Sequence, residues 1–414
     1  MVEATRSLTT ERLGKDRSEA AVMTGGRGDV VSAIEVIEVE LPIRRETRWR
    51  GLACDPGRWS VVRVLTENGL RGYGEAAALQ HWGGDHGRYY GETPTTVRHV
   101  VLDLLRPAVI GREPFDIEDI LRAMDETVRG YPYAKAAVEM ALYDLQGKIA
   151  GVPVYKLLGG RARDGVPIAL MLGIMRVEDA VEETTRAVDE GIRAIQVKGT
   201  GELARDTAVL KAVRSAVGEE ITLRLDANQG YRGADTKTII RAVNALESAG
   251  ADLIEQPTEG LMQMAAVRAG VAIPVVVDEG CWRAEDVIDV HRHQAADVIS
   301  IYIAKAGGLA RAKRVAAVAE ALGYPCDVNG SLESAIGNAA NLHFAVSTPR
   351  VTLPCVMPIS APSGTGSAKH AGRYYADDVI SEPFTFSDGR LYPSEDPGLV
   401  TVDEEKLAAY TVTR

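Results

Sequence analysis

The sequence predicts an α/β fold in two parts, an α+β segment followed by a closed (β/α)8 barrel. Three observations carry that prediction. After Leu158-Gly159-Gly160, eight short β-branched or apolar runs recur: VPIALML, AIQVK, ITLRLDAN, DLIEQP, IPVVVDE, VISIYIAK, YPCDVNG and VTLPCV. Most are separated by helix-like stretches, an alternation that predicts parallel pairing. Eight units favour a closed barrel over an open doubly wound sheet, and no Gly-x-Gly-x-x-Gly follows the first run. Upstream, strand patterns come first and helical patterns second, which is an α+β order. A length of 414 residues suits two domains at roughly 100–200 residues each.

Taken in order, residues 1–29 are polar, lack an apolar signal-peptide core and read as a disordered extension. SAIEVIEVELPI is partly alternating and β-branched, so it reads as a strand. WSVVRVLTENGLRGYGEA reads as two strands joined at Glu67-Asn68-Gly69, a strong hairpin signal. VRHVVLDLLRPAVI has helical spacing, and YAKAAVEMALYDLQGKIAG is an Ala-rich amphipathic helix stopped by glycine. These elements define a domain over 30–160, with the barrel over 161–357. Within the barrel, TAVLKAVRSAV places Val209, Val213 and Val217 on one helical face. KTIIRAVNALESAG and LARAKRVAAVAEALG repeat that style. The tail, 358–414, is richer in Pro and Gly, and its strand-like GRLYP is expected to return to the N-terminal domain.

Charge and cysteine content narrow the partners. Lys and Arg number 47 against 58 Asp and Glu, for a net charge of −11. Nucleic acid or an anionic membrane as main partner would need a cationic surface, so both are excluded. No apolar run approaches the roughly 18 residues needed to cross a bilayer. The four cysteines, Cys54, Cys281, Cys326 and Cys355, form no C-x-x-C pair and are expected as free thiols in a reducing cytoplasm.

Barrel enzymes carry their chemistry at the C-terminal ends of strands. Here the second strand ends in Lys198, the third in Asp226-Ala-Asn228, the fourth in Glu255-Gln256-Pro257, the fifth in Asp278-Glu279 and the sixth in Lys305-Ala-Gly-Gly. The seventh is followed by Asn329 and Glu333. Successive spacings of 28, 29, 23 and 27 residues are each one β/α unit, so these side chains should share one barrel mouth. Any one acid alone reads as a helix cap. Asp226, Glu255 and Asp278 together form an oxygen-only set suited to a hard cation such as Mg2+, for which Mn2+ could substitute. Without a cation the three would repel one another. Lys198 and Lys305 flank the acids. Burial and a nearby cation are expected to lower their pKa values and make them general bases facing each other across a substrate.

These residues resemble the enolase superfamily, in particular its muconate-lactonizing-enzyme subgroup. The resemblance rests on Lys198, the Asp226/Glu255/Asp278 series and Lys305-Ala306-Gly307-Gly308, with support from Ala134 through Lys148, Leu157 through Gly160, and Gly330 through Gly337. It implies a modified (β/α)8 TIM barrel under an α+β N-terminal capping domain completed by the C-terminal tail. It also implies Mg2+ binding, removal of a proton α to a carboxylate, and a homo-oligomer. The mandelate-racemase branch is expected to carry a His–Asp dyad where this chain has Lys305. One departure stands out: the subgroup usually shows Lys-x-Lys at the second strand, and this chain has Gln196-Val197-Lys198.

Other candidates follow from position. Asn228 is expected at the mouth beside the metal ligands or as a turn residue. Glu279 is a candidate partner for a catalytic lysine, and Glu333 for orienting substrate or a lysine. Trp82, Tyr89 and Tyr90 lie in a Gly-rich aromatic loop, a candidate lid. Arg44, Arg45, Arg48 and Arg50 are either a carboxylate contact or a solvated charge run. Cys326 and His343 read as structural, and His291 and His293 as surface. The substrate is expected to be a small carboxylate. Racemisation or epimerisation, cycloisomerisation and dehydration by β-elimination stay open, because they share the metal, the enolate and the lysines. A non-catalytic protein that kept the barrel is the remaining alternative.

Overall fold

In β1 (Val31–Glu40), Val31, Ile34, Val36 and Val39 turn inward, and the strand pairs antiparallel with β2 (Arg58–Thr66). A turn with Gly69 at φ +87° joins β2 to β3 (Arg71–Ala76), the hairpin expected from Asn68-Gly69. This computed structural model describes residues 29–50, 52, 57–82, 91–366 and 372–412. The expected N-terminal extension therefore lies outside the described residues except for Asp29, as do Cys54, Tyr89 and Tyr90.

The Ala-rich sequence forms one helix over Pro132–Ala150, ended by Gly151 in the left-handed conformation. Its small side chains let β3 lie directly on it. Gly72 and Gly74 face the helix backbone, and a Cβ at Gly74 would fall 1.9 Å from the Ala137 carbonyl oxygen. The region 94–109 is helical but changes pitch through a π-helical stretch, Val100–Leu105.

The chain then enters the barrel. A short β4 (Val166–Pro167) precedes β5 (Ala169–Leu172), β6 (Ala194–Lys198), β7 (Thr222–Asp226), β8 (Leu253–Glu255), β9 (Val275–Val277), β10 (Val298–Ile301) and β11 (Cys326–Val328). β5 to β11 form one parallel sheet in sequence order. The eighth run, VTLPCV, closes it through bridges from Val351 to Cys326 and from Cys355 to Ile168. Cys355 N–H donates to Pro167 at 2.8 Å, and Val356 N–H to Val328 at 3.0 Å. It forms no regular strand because Pro354 has no N–H to donate to a ladder. The barrel is packed with Val, Leu and Ile, and Ile195, Leu223, Leu225, Ile254, Val277 and Ile299 are almost wholly excluded from solvent.

The tail departs from expectation in one respect. GRLYP forms β13 (Arg390–Tyr392), which pairs with β12 (Thr385–Ser387) and with β4, at the barrel rather than at the capping sheet. Other parts of the tail meet the capping domain. Tyr375 bridges to Ile43 and Thr411 to Val39. No helix among the described residues is long and apolar enough to cross a membrane.

Candidate active site

Parallel pairing in register sets the acids side by side. Lys198 is level with Asp226, and Asp226 with Glu255. Asp278 follows the last residue of β9 directly. Lys305 differs from expectation: β10 ends at Ile301, and Lys305 lies in a single helical turn, Ile303–Ala306, ended by Gly307 in the left-handed conformation. That turn carries its side chain back over the mouth. Lys305 Nζ donates to Asp278 Oδ1 and to the Asp278 main-chain oxygen, both at 2.7 Å, and to Ser300 O at 3.2 Å. On the other side Lys198 Nζ lies 2.5 Å from Asp226 Oδ2. The acids therefore span the space between the two lysines.

Glu255 lies wholly buried between them. Gln196 Nε2 donates to its Oε2 at 2.8 Å, and Arg224 Nε lies 3.3 Å from the same oxygen. Asn329 Nδ2 donates to its Oε1 at 3.1 Å. The carboxylates feel one another strongly. Burial, Asp226 and Asp278 together push Glu255 up to about 8 despite Arg224. Burial and Asp226 also raise Asp278 against Lys305, and burial and Asp278 raise Glu279 well above the carboxylate range.

Lys198 corrects the expected lowering of its pKa. Burial does act to lower it, but Asp226, Glu255 and Asp278 outweigh burial and hold the amine above its ordinary value. Lys198 is thus the counter-charge of Asp226, as Lys305 is of Asp278 and Arg224 of Glu255.

Several candidates fall into place and others do not. Asn228 sits at the mouth with φ +41°, its N–H on Asp226 Oδ1 at 2.9 Å and its Nδ2 on Glu279 Oε1 at 3.2 Å. Glu279 thus faces Asn228 and not a lysine, because Lys305 is committed to Asp278. Glu333 accepts from its own loop at Ser331 N–H, 3.0 Å, and reaches neither lysine. Trp82 lies over Lys305, with Nζ 6.0 Å from its ring centre, and stacks on Tyr302 at 5.0 Å. The arginine run staples the capping loop down. Arg44 and Arg45 pair with Glu183, and Arg50 donates to Thr200 O.

The sequence reading passed over four residues. Trp49 covers Lys198 from the capping side, Nζ 6.0 Å from its ring, and Tyr302 flanks Lys305 at 5.5 Å. Arg224 pairs with Asp327 across the barrel beneath Glu255. Gln256, at φ +37°, accepts the N–H groups of Asp278 and Gly280 and so shapes the fifth-strand loop. Arg224 was legible as the residue two before Asp226 and so on the same strand face. The aromatic covers carry no such spacing signal.

The donor set fits a hard cation. It is all oxygen, its acids are mutually destabilised, and buried Asn228 Oδ1 and Glu279 Oε2 have no hydrogen-bond partner among the described residues. It is not a ready-made metal cage, since no three acids, histidines or cysteines among the described residues are so grouped. Asp226 and Asp278 are each closed on a lysine instead.

A parallel barrel with two lysines and converging acids at its mouth, under an α+β cap, defines an enzyme of the enolase superfamily. The chain belongs to its mandelate racemase/muconate lactonizing enzyme family, within the muconate-lactonizing-enzyme subgroup. The family model described as "Mandelate racemase / muconate lactonizing enzyme, N-terminal domain" matches residues 50–159, and the one described as "Enolase C-terminal domain-like" matches residues 179–406. Among relatives, the N-succinyl-L-Arg/Lys racemase of Bacillus cereus is 32% identical over 78% of this chain and 85% of its own. Its crystal structure superposes with a TM-score of 0.82 at 29% identity, covering 93% of this chain and 98% of that one. Muconate cycloisomerase 1 of Rhodococcus opacus is 31% identical over 89% of this chain and 95% of its own. Cis-3-hydroxy-L-proline dehydratase of Roseibium aggregatum is 30% identical over the same shares, 89% and 95%. Enolase-superfamily sites share the formation of a stabilised enolate by proton abstraction.

Proposed function

We propose that this chain removes the proton α to the carboxylate of a small organic acid and acts as a racemase or epimerase, or as a cycloisomerase. The observation that carries the reading is the placement of Lys198 and Lys305 on either side of Asp226, Glu255 and Asp278, each lysine closed on an acid. Mg2+, for which Mn2+ could substitute, would be held by Asp226, Glu255 and Asp278 and supplies positive charge to the substrate carboxylate and its enolate. Lys198 and Lys305 now act as counter-charge to two of those acids. Released from that duty, one amine takes the α-proton. The other returns a proton to the opposite face in a racemase, or assists by its charge in a cycloisomerase. Gln256 and Asn228 hold the loops that aim Asp278 and Asp226. Trp49 and Trp82 cover the two lysines, which limits the access of water to them.

Loss of water after proton removal is the alternative outcome, and product analysis separates it. The buried free thiols of Cys326 and Cys355 favour a reducing cytoplasm. We take the working form to be a homo-oligomer, which a solution mass measurement tests.

The decisive experiment follows deuterium uptake from D2O into a panel of small carboxylates, with Mg2+ and after its removal by chelation. Exchange should require the cation. For a racemase, Lys198→Ala and Lys305→Ala should each lose exchange from one enantiomer only, by roughly 100-fold or more. Loss from both enantiomers in one variant alone points to the one-base cycloisomerase chemistry. A broad panel without exchange, together with no Mg2+ binding by calorimetry, would falsify the reading.

A further inference from the structure

Gln196 occupies the position where the subgroup usually has the first lysine of Lys-x-Lys, and its amide is wholly buried. It lies two residues before Lys198 on β6, so both side chains point to the same face. The orientation of its amide is set by chemistry. Glu255 Oε2, 2.8 Å away, also meets Arg224. A carboxylate held by an arginine accepts hydrogen bonds, so the Gln196 atom facing it is the NH2 group. Gln196 Oε1 therefore points elsewhere. It has no hydrogen-bond partner among the described residues, and Gln196 lines the small pocket that Lys198, Asp278, Asn329, Trp49 and Trp82 also line. A buried carbonyl oxygen left without a donor is costly unless something fills that role.

Nor does the site need a lysine there for charge. Arg224 supplies a buried cation beneath Glu255 from the neighbouring strand. Replacing lysine with glutamine changes the position from a charged donor to a neutral acceptor. A lysine at 196 would favour a second carboxylate on the substrate; a free Oε1 favours an N–H or O–H.

We propose that Gln196 determines specificity, its Oε1 accepting a hydrogen bond from an N–H or O–H group that the substrate carries close to its reacting carbon. The preferred substrates are then amino, acylamino, imino or hydroxy carboxylates rather than acids with a second carboxylate at that place. This rests on the proton-abstraction reading above.

The test uses the full-length enzyme with Mg2+ and pairs of probes that differ only in the donor. N-acetyl-phenylalanine against its ester analogue O-acetyl-phenyllactate reads an N–H, and phenyllactate against its O-methyl ether reads an O–H. cis,cis-Muconate represents a second carboxylate. Calorimetric affinities and deuterium exchange are measured for wild type, Gln196→Met and Gln196→Lys. Wild type should favour the donor-bearing member of one pair by about tenfold or more. That ratio should fall to near one in Gln196→Met, and Gln196→Lys should gain affinity for muconate.

Gln196→Met also loses the bond to Glu255, which shifts absolute affinities and Mg2+ binding alike; the ratio within a pair isolates Oε1. An equal preference in wild type and Gln196→Met overturns the proposal, as does equal binding of both members of both pairs. Turnover of muconate to its lactone with deuterium taken up from D2O, but no exchange into the donor-bearing acids, overturns it while leaving the enolate chemistry intact. Exchange into none of the probes, with none bound, overturns it; only a broad panel of small carboxylates without exchange, together with no Mg2+ binding, overturns proton abstraction as well.

Discussion

Arg224 shows how much of the site is held by a residue that touches no substrate in the proposed chemistry. It is buried, lies 3.3 Å from Glu255 and is ion-paired with Asp327. Burial acts against its charge, but Glu255 and Asp327 outweigh burial and raise its pKa. The arginine holds Asp327 Oδ2, and Asp327 Oδ1 has no hydrogen-bond partner among the described residues. Removing the arginine would therefore strand two buried carboxylates. Arg224→Met is expected to destabilise the fold by about 3–5 kcal/mol, read from urea unfolding. Adding Asp327→Leu should recover part of that loss, because one stranded charge is then gone. A single variant within about 0.5 kcal/mol of wild type, the range of an ordinary surface substitution, would show that the pair is not a structural member of the site.

At the scale of elements, the contact of β3 with the helix Pro132–Ala150 is the closest backbone approach in the capping domain that glycine makes possible. A Cβ at Gly74 would meet the Ala137 carbonyl at 1.9 Å, and that oxygen is fixed in the helix ladder. No rotamer change can relieve the clash. Gly74→Ala should cost about 3 kcal/mol through separation of strand and helix. Gly69→Ala provides the comparison. At φ +87° with nothing within 4 Å, it carries only the left-handed backbone penalty of about 1–2 kcal/mol. Thermal melts of the two variants decide the matter, and equal losses would rule out the packing account.

The same elements show what a sequence can reveal. The acids and Lys198 were legible because a β/α unit has a nearly constant length, so strand ends recur at a readable interval. The hairpin was legible because Asn68-Gly69 has local backbone chemistry. Lys305 was found, but not the helical turn that carries it, since a four-residue turn leaves no period to read. The partners of Glu279, Glu333 and Arg44 were missed for a different reason. Each is decided by which neighbour arrives first in three dimensions, and Arg44 meets Glu183 139 residues away. GRLYP was read as a strand correctly, but a strand's pattern says which face is buried and not which sheet it joins.

At the scale of the whole molecule, the three segments meet around His343. It sits in the helix Ala335–Val346, 1% exposed. Its Nδ1 accepts the N–H of Tyr155, at the end of the capping segment, at 3.0 Å. Its Nε2–H then donates to Leu399 O, in the tail, at 3.1 Å. Leu399 N–H in turn binds Asp144 of the capping helix at 2.7 Å. A protonated ring would lose the Tyr155 bond and bury a charge, and burial accordingly lowers the pKa of His343 to about 4. The sign of the linkage follows. An unfolded chain protonates this histidine below about 6.5 and the folded chain only below about 4, so the unfolded state binds more protons in that window. The stability due to the neutral ring is present above pH 6.5 and is lost as pH falls, at about 1.4 kcal/mol per pH unit and about 3 kcal/mol in all. Buried Glu75, pushed up to about 8, and Glu92, pushed up to about 7, work in the opposite sense and weaken the fold as pH rises. A difference measurement removes them. His343→Gln should be less stable than wild type at pH 7.5, since it holds the clamp less well. The gap should then narrow steadily between pH 6.5 and 4, because only wild type carries the histidine linkage. Urea unfolding of both proteins at half-unit pH steps measures it, and a gap that stays constant across that range would mean that His343 titrates alike in the folded and unfolded chains.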